Sequence, residues 1–93
     1  VPDGMTLDQA GRLYMADYGT GEIVVFNQAG DIVRRHPTGL QHPSNVAFGG
    51  ARLTDLYVTG SQRAQDGLGQ LVVLPLGVRG RSSLTVPSSL RAR

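Results

Sequence analysis

The feature that most constrains this chain is that its second half retells its first. Pro43-Ser44-Asn45-Val46-Ala47-Phe48 follows Pro2-Asp3-Gly4-Met5-Thr6-Leu7 by 41 positions, Leu56-Tyr57-Val58-Thr59 follows Leu13-Tyr14-Met15-Ala16 by 43, and Gly69-Gln70-Leu71-Val72-Val73-Leu74 follows Gly21-Glu22-Ile23-Val24-Val25-Phe26 by 48. The offset grows in Gly49 to Asp55 and Gly60 to Gly69, both rich in turn formers, as surface connections are. Within the first unit, Asp8-Gln9-Ala10-Gly11 and Asn27-Gln28-Ala29-Gly30 are nearly the same turn, each ending in a glycine suited to the left-handed position. Strands are predicted near 3–7, 12–17, 22–26, 31–35, 45–48, 55–59 and 70–74, all antiparallel, and no segment keeps a 3.6-residue apolar period. A repeat of about 40–45 residues with four strands per unit is the signature of a β-propeller blade. The core is expected to hold Met5, Leu7, Leu13, Met15, Ile23, Val25, Phe48, Leu56, Val58, Leu71 and Val73.

Composition narrows the function classes. With 40% hydrophobic and 17% charged residues the 93-residue chain is not disordered throughout, yet a unit this short buries only roughly 60–65% of its unfolded surface and is marginal alone. Cysteine is absent, which excludes disulfides and fits a reducing, cytoplasmic compartment. The net charge of +2 comes from nine arginines against seven acids; the arginines cluster only at Arg34-Arg35 and among Arg79, Arg81, Arg91 and Arg93, with no interleaved aromatics, which argues against nucleic acid as a partner. No apolar run approaches the roughly 20 residues of a membrane span, and the first residues do not show a charged n-region followed by an apolar h-region. Because Val1 stands where a Met would, the true N-terminus is expected upstream.

The segments PDGMTLDQAGRLYMADYGTGEIVVFNQAGDIV, HPSNVAFGGARLTDLYVT and GQLVVLPLGVRG resemble the C-terminal part of the senescence marker protein/regucalcin/gluconolactonase family of metal-dependent sugar lactonases, over Pro2 to about Gly80. The resemblance implies an all-β chain forming about two four-stranded antiparallel blades of a six-bladed β-propeller. Residues 1–40 would be the blade carrying the PDG motif, 41–80 the following blade, short of its outer strand, and 81–93 a disordered Ser- and Arg-rich tail. It implies hydrolysis of a sugar lactone by metal-activated water, with Asp3 as both metal ligand and general base for one divalent ion (Ca, Zn or Mg). A blade's first strand lies nearest the axis, where several blades each donate a ligand, and a hard cation prefers carboxylate oxygen. The family's remaining ligands, a Glu and an Asn, have no counterpart here. One carboxylate does not complete a site, so the chain alone is expected to be inactive, and the alternative is a non-catalytic propeller fragment acting in assembly or binding. Two blades per chain and six per family ring allow a trimer of two-blade units, or else the remainder of a longer chain supplies the other blades.

Other residues have plainer readings. Asp3 itself sits in Pro-Asp-Gly, which is turn chemistry, and Asn45 matches the Asp3-Gly4 position in the second unit as a channel-facing residue or a turn-capping one. Asp17 is expected to order the Gly19-Thr20-Gly21 loop. His36 and His42, six apart, are read as structural or exposed in a loop without a third ligand, and Ser44 and Ser61 lack the G-x-S-x-G context of a nucleophile elbow.

Overall fold

The fold was described from a computed structural model, which describes residues 2–62 and 69–81. Seven strands follow in order: β1 (Pro2–Leu7), β2 (Leu13–Asp17), β3 (Glu22–Phe26), β4 (Ile32–Pro37), β5 (His42–Gly49), β6 (Asp55–Ser61) and β7 (Gln70–Pro75). They form two antiparallel sheets in which neighbours in sequence are neighbours in space, β1-β2-β3-β4 and β5-β6-β7. The described residues contain no helix, and hence none long and apolar enough to cross a membrane. The strands lie within a few residues of their expected positions. The second sheet has three strands among the described residues, as expected for a unit short of its outer strand. The expected tail lies, beyond Arg81, outside them.

Turn chemistry explains why the strands end where they do. In the β1–β2 connection the Gly11 amide donates to the Asp8 carbonyl at 3.1 Å, and in the β3–β4 connection the Gly30 amide donates to Asn27 at 3.0 Å. Both glycines take φ near +80–90°, at 83° and 90°. In each turn the leading side chain reaches forward: Asp8 Oδ1 accepts from the Arg12 amide at 3.0 Å, and Asn27 Oδ1 from the Asp31 amide at 2.9 Å.

The sheets are joined twice. At one end Thr38 is buried, its hydroxyl donating to the Gly21 carbonyl at 2.7 Å and accepting from the Leu40 amide at 3.0 Å, which sends the chain from β4 into β5 with Leu40 in the core. At the other, the segment after β7 crosses back to the β1–β2 turn. The Gln9 amide donates to Arg79 O at 2.8 Å, the Arg81 amide donates to Leu7 O at 2.9 Å, and Asp8 and Gly80 form an antiparallel bridge. Gly80 also donates to Leu53 O at 2.7 Å. It packs so closely on Phe48 that a Cβ there would fall onto the phenylalanine's Cβ and ring.

Between the sheets lie Tyr14, Ala16, Ile23 and Val25 from the first, Leu40 from the connection, and Val46, Leu56 and Val58 from the second. Phe48, Val72, Leu74, Leu76 and Val78 pack around them, and the Tyr14 and Phe48 rings meet edge to face with centroids 5.1 Å apart. Of the expected core, Ile23, Val25, Leu56 and Val58 are buried there and Phe48 flanks them. Met5, Leu71 and Val73 are instead 58%, 59% and 43% exposed, while Leu7, Leu13 and Met15 are only half-buried. The register gives the reason. Tyr14 pairs with Val25 and Ala16 with Ile23, so Leu13 and Met15 turn outward; Val58 pairs with Val72 and Leu56 with Leu74, so Leu71 and Val73 do the same. A one-residue difference in register exchanges the two faces of a strand, and these strands are apolar on both.

Candidate functional site

Asp3 lies at the start of β1, where Asp3 and Gly4 together oppose the single residue Ala16 between the pairs Pro2–Asp17 and Met5–Met15, one residue extra in β1. The same device recurs at the start of β5, where Ser44 is the extra residue between Pro43–Gly60 and Asn45–Thr59. Bulges of this kind re-aim side chains at strand ends. The two bulges touch. A Cβ on Gly4 would collide with Asn45 Oδ1 and would sit 2.7 Å from Asn45 Cα and 2.8 Å from Ser44 O, so only glycine permits this approach. The β1 and β5 starts are thereby locked side by side. Asp3 is left exposed beside this contact, at the end of the sheets where the chain passes from β4 into β5.

Asn45 is committed otherwise, its Oδ1 accepting from the Val46 amide at 2.9 Å, as a capping residue does. Asp17 accepts from the Gly19 amide at 3.2 Å and so orders the loop, as expected. Ser44 Oγ donates to Thr59 O at 3.3 Å and Ser61 ends β6 opposite His42. The histidines are not in a loop: His36 belongs to β4 and His42 opens β5. His42 stacks on Tyr18 with ring centroids 4.5 Å apart, and its Nδ1 lies 3.3 Å from the Tyr18 carbonyl oxygen. His36 is half-buried, and burial, with the Arg34 charge adding to it, pushes its pKa below 6.5.

Asp3 is chemically suited to a hard divalent cation, since an exposed carboxylate offers oxygen donors. The fit is partial, because among the described residues no group of three or more His, Cys, Asp or Glu side chains could hold a metal ion.

The sequence reading missed a second constellation, at the opposite end of β1. Asp8 is fully buried and charged, accepting from Arg12 Nε at 2.6 Å and from the Tyr14 hydroxyl at 2.9 Å in addition to the Arg12 amide. Burial alone would raise its pKa, but these donors and the guanidinium charge together hold it below 3.8. Burial, and then donation to Asp8, push Tyr14 from 10.0 up to about 12. This cluster is structural. It ties the turn that receives residues 79–81 to the core, and the signal for it was the spacing Asp8, Arg12, Tyr14, which puts Arg12, just before β2, and Tyr14 within β2 on the same side.

Residues 1–62 match the SMP-30/gluconolactonase/LRE-like region. The chain is 32% identical to the pentonolactonase XacC of Haloferax volcanii over 87% of its own length and 32% of that protein's. It is 33% identical to the 6-deoxy-6-sulfogluconolactonase of Pseudomonas putida over 66% of its length and 21% of that protein's. Among solved structures it resembles a luciferin-regenerating enzyme with a TM-score of 0.74 at 28% identity, covering 87% of this chain and 30% of the other. It also shares the fold of regucalcin from Agrobacterium tumefaciens, a calcium-binding protein, with a TM-score of 0.77 at 24% identity, covering 86% and 30%. The chain thus spans between about a fifth and a third of the length of these relatives.

Proposed function

Because the chain belongs to the SMP-30/gluconolactonase/LRE-like family, we propose that it is the part of a metal-dependent lactonase that contributes Asp3 to the reaction centre, acting on a sugar lactone. The observation that carries this reading is the position of Asp3: an exposed carboxylate on a bulge at the end of β1, next to the matching bulge of β5. Two successive units each bringing a bulged first strand to the same end suit a site assembled from several units around one axis. Residues 1–40 and 41–80 are read as two blades of a six-bladed ring. The outer faces of both sheets support further neighbours, since Met5 and Ile32 on one and Leu71 and Val73 on the other are exposed. Those neighbours would be the remaining blades of a longer chain or two more copies of this one.

Asp3 carries two carboxylate oxygens, so one can serve a divalent ion while the other accepts a proton from the attacking water. The ion, when bound, supplies Lewis acidity at the lactone carbonyl and a lowered pKa for water. The bulge and the Gly4–Asn45 contact hold the Asp3 backbone so that the carboxylate needs little reorganisation. The described residues offer no other exposed acid on β1.

The test is metal content and lactone opening, measured together on the chain assembled with the blades that would complete its ring, since one carboxylate does not complete a site. Stoichiometric Ca²⁺, Zn²⁺ or Mg²⁺ that is lost in Asp3→Ala, with lactone hydrolysis lost alongside it, is the expected result. Protein that binds no divalent metal and opens no lactone would instead be a binding or assembly module.

A further inference from the structure

A cleft of about 400 Å³ opens between β4 and the segment after β7. Its walls are the apolar side chains Val25, Val33, Leu76 and Val78, and its polar groups are Arg12, Arg34, His36 and Tyr14. Asp3 is not among them. We propose that this cleft binds a small organic carboxylate with an apolar body, at a site separate from Asp3.

Charge is the first argument. Among the described residues no carboxylate lines the cleft. Asp8 takes the Nε–H of Arg12, which leaves the terminal N–H groups of that guanidinium uncommitted to it. Arg34 has no carboxylate partner among the described residues, in contrast to its neighbour Arg35, which pairs with Glu22 at 3.2 Å. The charge of Arg12 is balanced by Asp8, so the surplus of positive charge on this concave wall comes from Arg34, whose guanidinium a carboxylate matches in charge and in its planar, two-pronged geometry.

The backbone supplies the second argument. Phe26 pairs with Ile32 and Val25 with Arg34, so Val33 is an extra residue in β4. A regular strand sends adjacent side chains to opposite faces, but this bulge turns Val33 and Arg34 into the same cleft. A cation is thereby set next to a branched apolar group. The same alternation recurs on the other wall, where Leu76 and Val78 are both directed inward. An acid with a short aliphatic chain satisfies both kinds of wall, whereas a polyhydroxylated sugar would leave the apolar one uncompensated.

The experiment is a titration of the ¹⁵N-labelled protein with sodium hexanoate and, separately, with hexanol, followed through backbone amide shifts at low ionic strength. Hexanoate is expected to shift Val33, Arg34 and Val78 saturably while Asp3 stays still, and to bind about tenfold more tightly than hexanol, the difference being the charge-assisted contact. Arg34→Met should bring hexanoate down to the hexanol level. Arg35→Met, whose side chain is on the other face, should leave it unchanged. Added salt should weaken hexanoate alone. Equal affinity for the acid and the alcohol, or no saturable shift at about 20 mM ligand, a concentration that already corresponds to very weak binding, would overturn the proposal. So would an Arg34→Met variant that binds as well as the parent. If Arg34→Met does not fold, the comparison of acid with alcohol on the unaltered protein still decides the matter.

Discussion

Replacing Asp8 with alanine should cost far more than replacing Asn27, although the two head nearly identical turns. Asn27 is neutral, and its loss removes acceptors from the Ala29 and Asp31 amides in an exposed turn, where water replaces them. That is worth about 1 kcal/mol, as for other capping side chains. Asp8 is 0% exposed and serves three donors, at 2.6, 2.9 and 3.0 Å. Without it the Tyr14 hydroxyl, on a residue 3% exposed, loses its acceptor inside the core, which costs roughly 1–3 kcal/mol. The Arg12 side chain is 39% exposed and can turn to water, so its share is held to about 1 kcal/mol, and the freed Arg12 amide adds about 1 more. Asp8→Ala should therefore lose about 3–5 kcal/mol in urea unfolding followed by far-UV circular dichroism. Adding Tyr14→Phe to it should recover about 1–2 kcal/mol, because the orphaned hydroxyl is removed. A cost for Asp8→Ala no greater than for Asn27→Ala, or a further loss on adding Tyr14→Phe, would rule out a buried acceptor network at this turn. Acid should act as the mutation does. Asp8 titrates below 3.8 when folded, so its contribution is present above that pH and is lost as pH falls through the lower folded value.

At the other end of the pH scale, Tyr14 holds its proton to about 12 when folded and releases it near 10.0 when unfolded. Stability should thus fall by roughly 2–3 kcal/mol between those values, and Tyr14→Phe should remove most of that slope. Gly80→Ala forces a methyl onto Phe48; a drop of about 2 kcal/mol or more in thermal or urea unfolding is expected. His36 should titrate below 6.5 by NMR, and because burial favours its neutral form, stability should decline as pH drops from about 6.5 toward that lower value.

How much of this was legible in the sequence depends on what each residue's neighbours settle. Strand positions were, because Gly11 and Gly30 close turns that leave the chain few alternatives, and the repeat placed β5 to β7 by analogy with β1 to β3. The face of each strand was not. Leu13-Tyr14-Met15-Ala16 and Leu71-Val72-Val73-Leu74 are apolar at every position, so alternation offers no choice; the choice is made by Asp8 binding the Tyr14 hydroxyl and by Leu74 and Val72 meeting Leu56 and Val58. Asp8 read as a turn residue because its partners lie four and six positions on, and only the folded β2 brings both onto one side of it. Asp3 could be singled out only by resemblance, since Pro-Asp-Gly by itself is turn chemistry. The contact of Gly4 with Asn45 depends on two bulges 41 residues apart, which no local pattern encodes. Residues 79–81 showed nothing of their return to the β1–β2 turn.

Whether Asp3 serves a metal-dependent lactone-opening centre is tested by a chimera. The third of the Haloferax volcanii pentonolactonase that aligns with this chain would be exchanged for the present sequence, so that the remaining blades come from the relative, and hydrolysis of a pentonolactone would be followed by acid release with and without chelator. The chimera is predicted to be active, to lose activity to the chelator, and to fall by about 10²-fold or more on Asp3→Ala, as loss of a group acting on the reacting water does. A folded chimera whose activity survives Asp3→Ala unchanged would contradict the account.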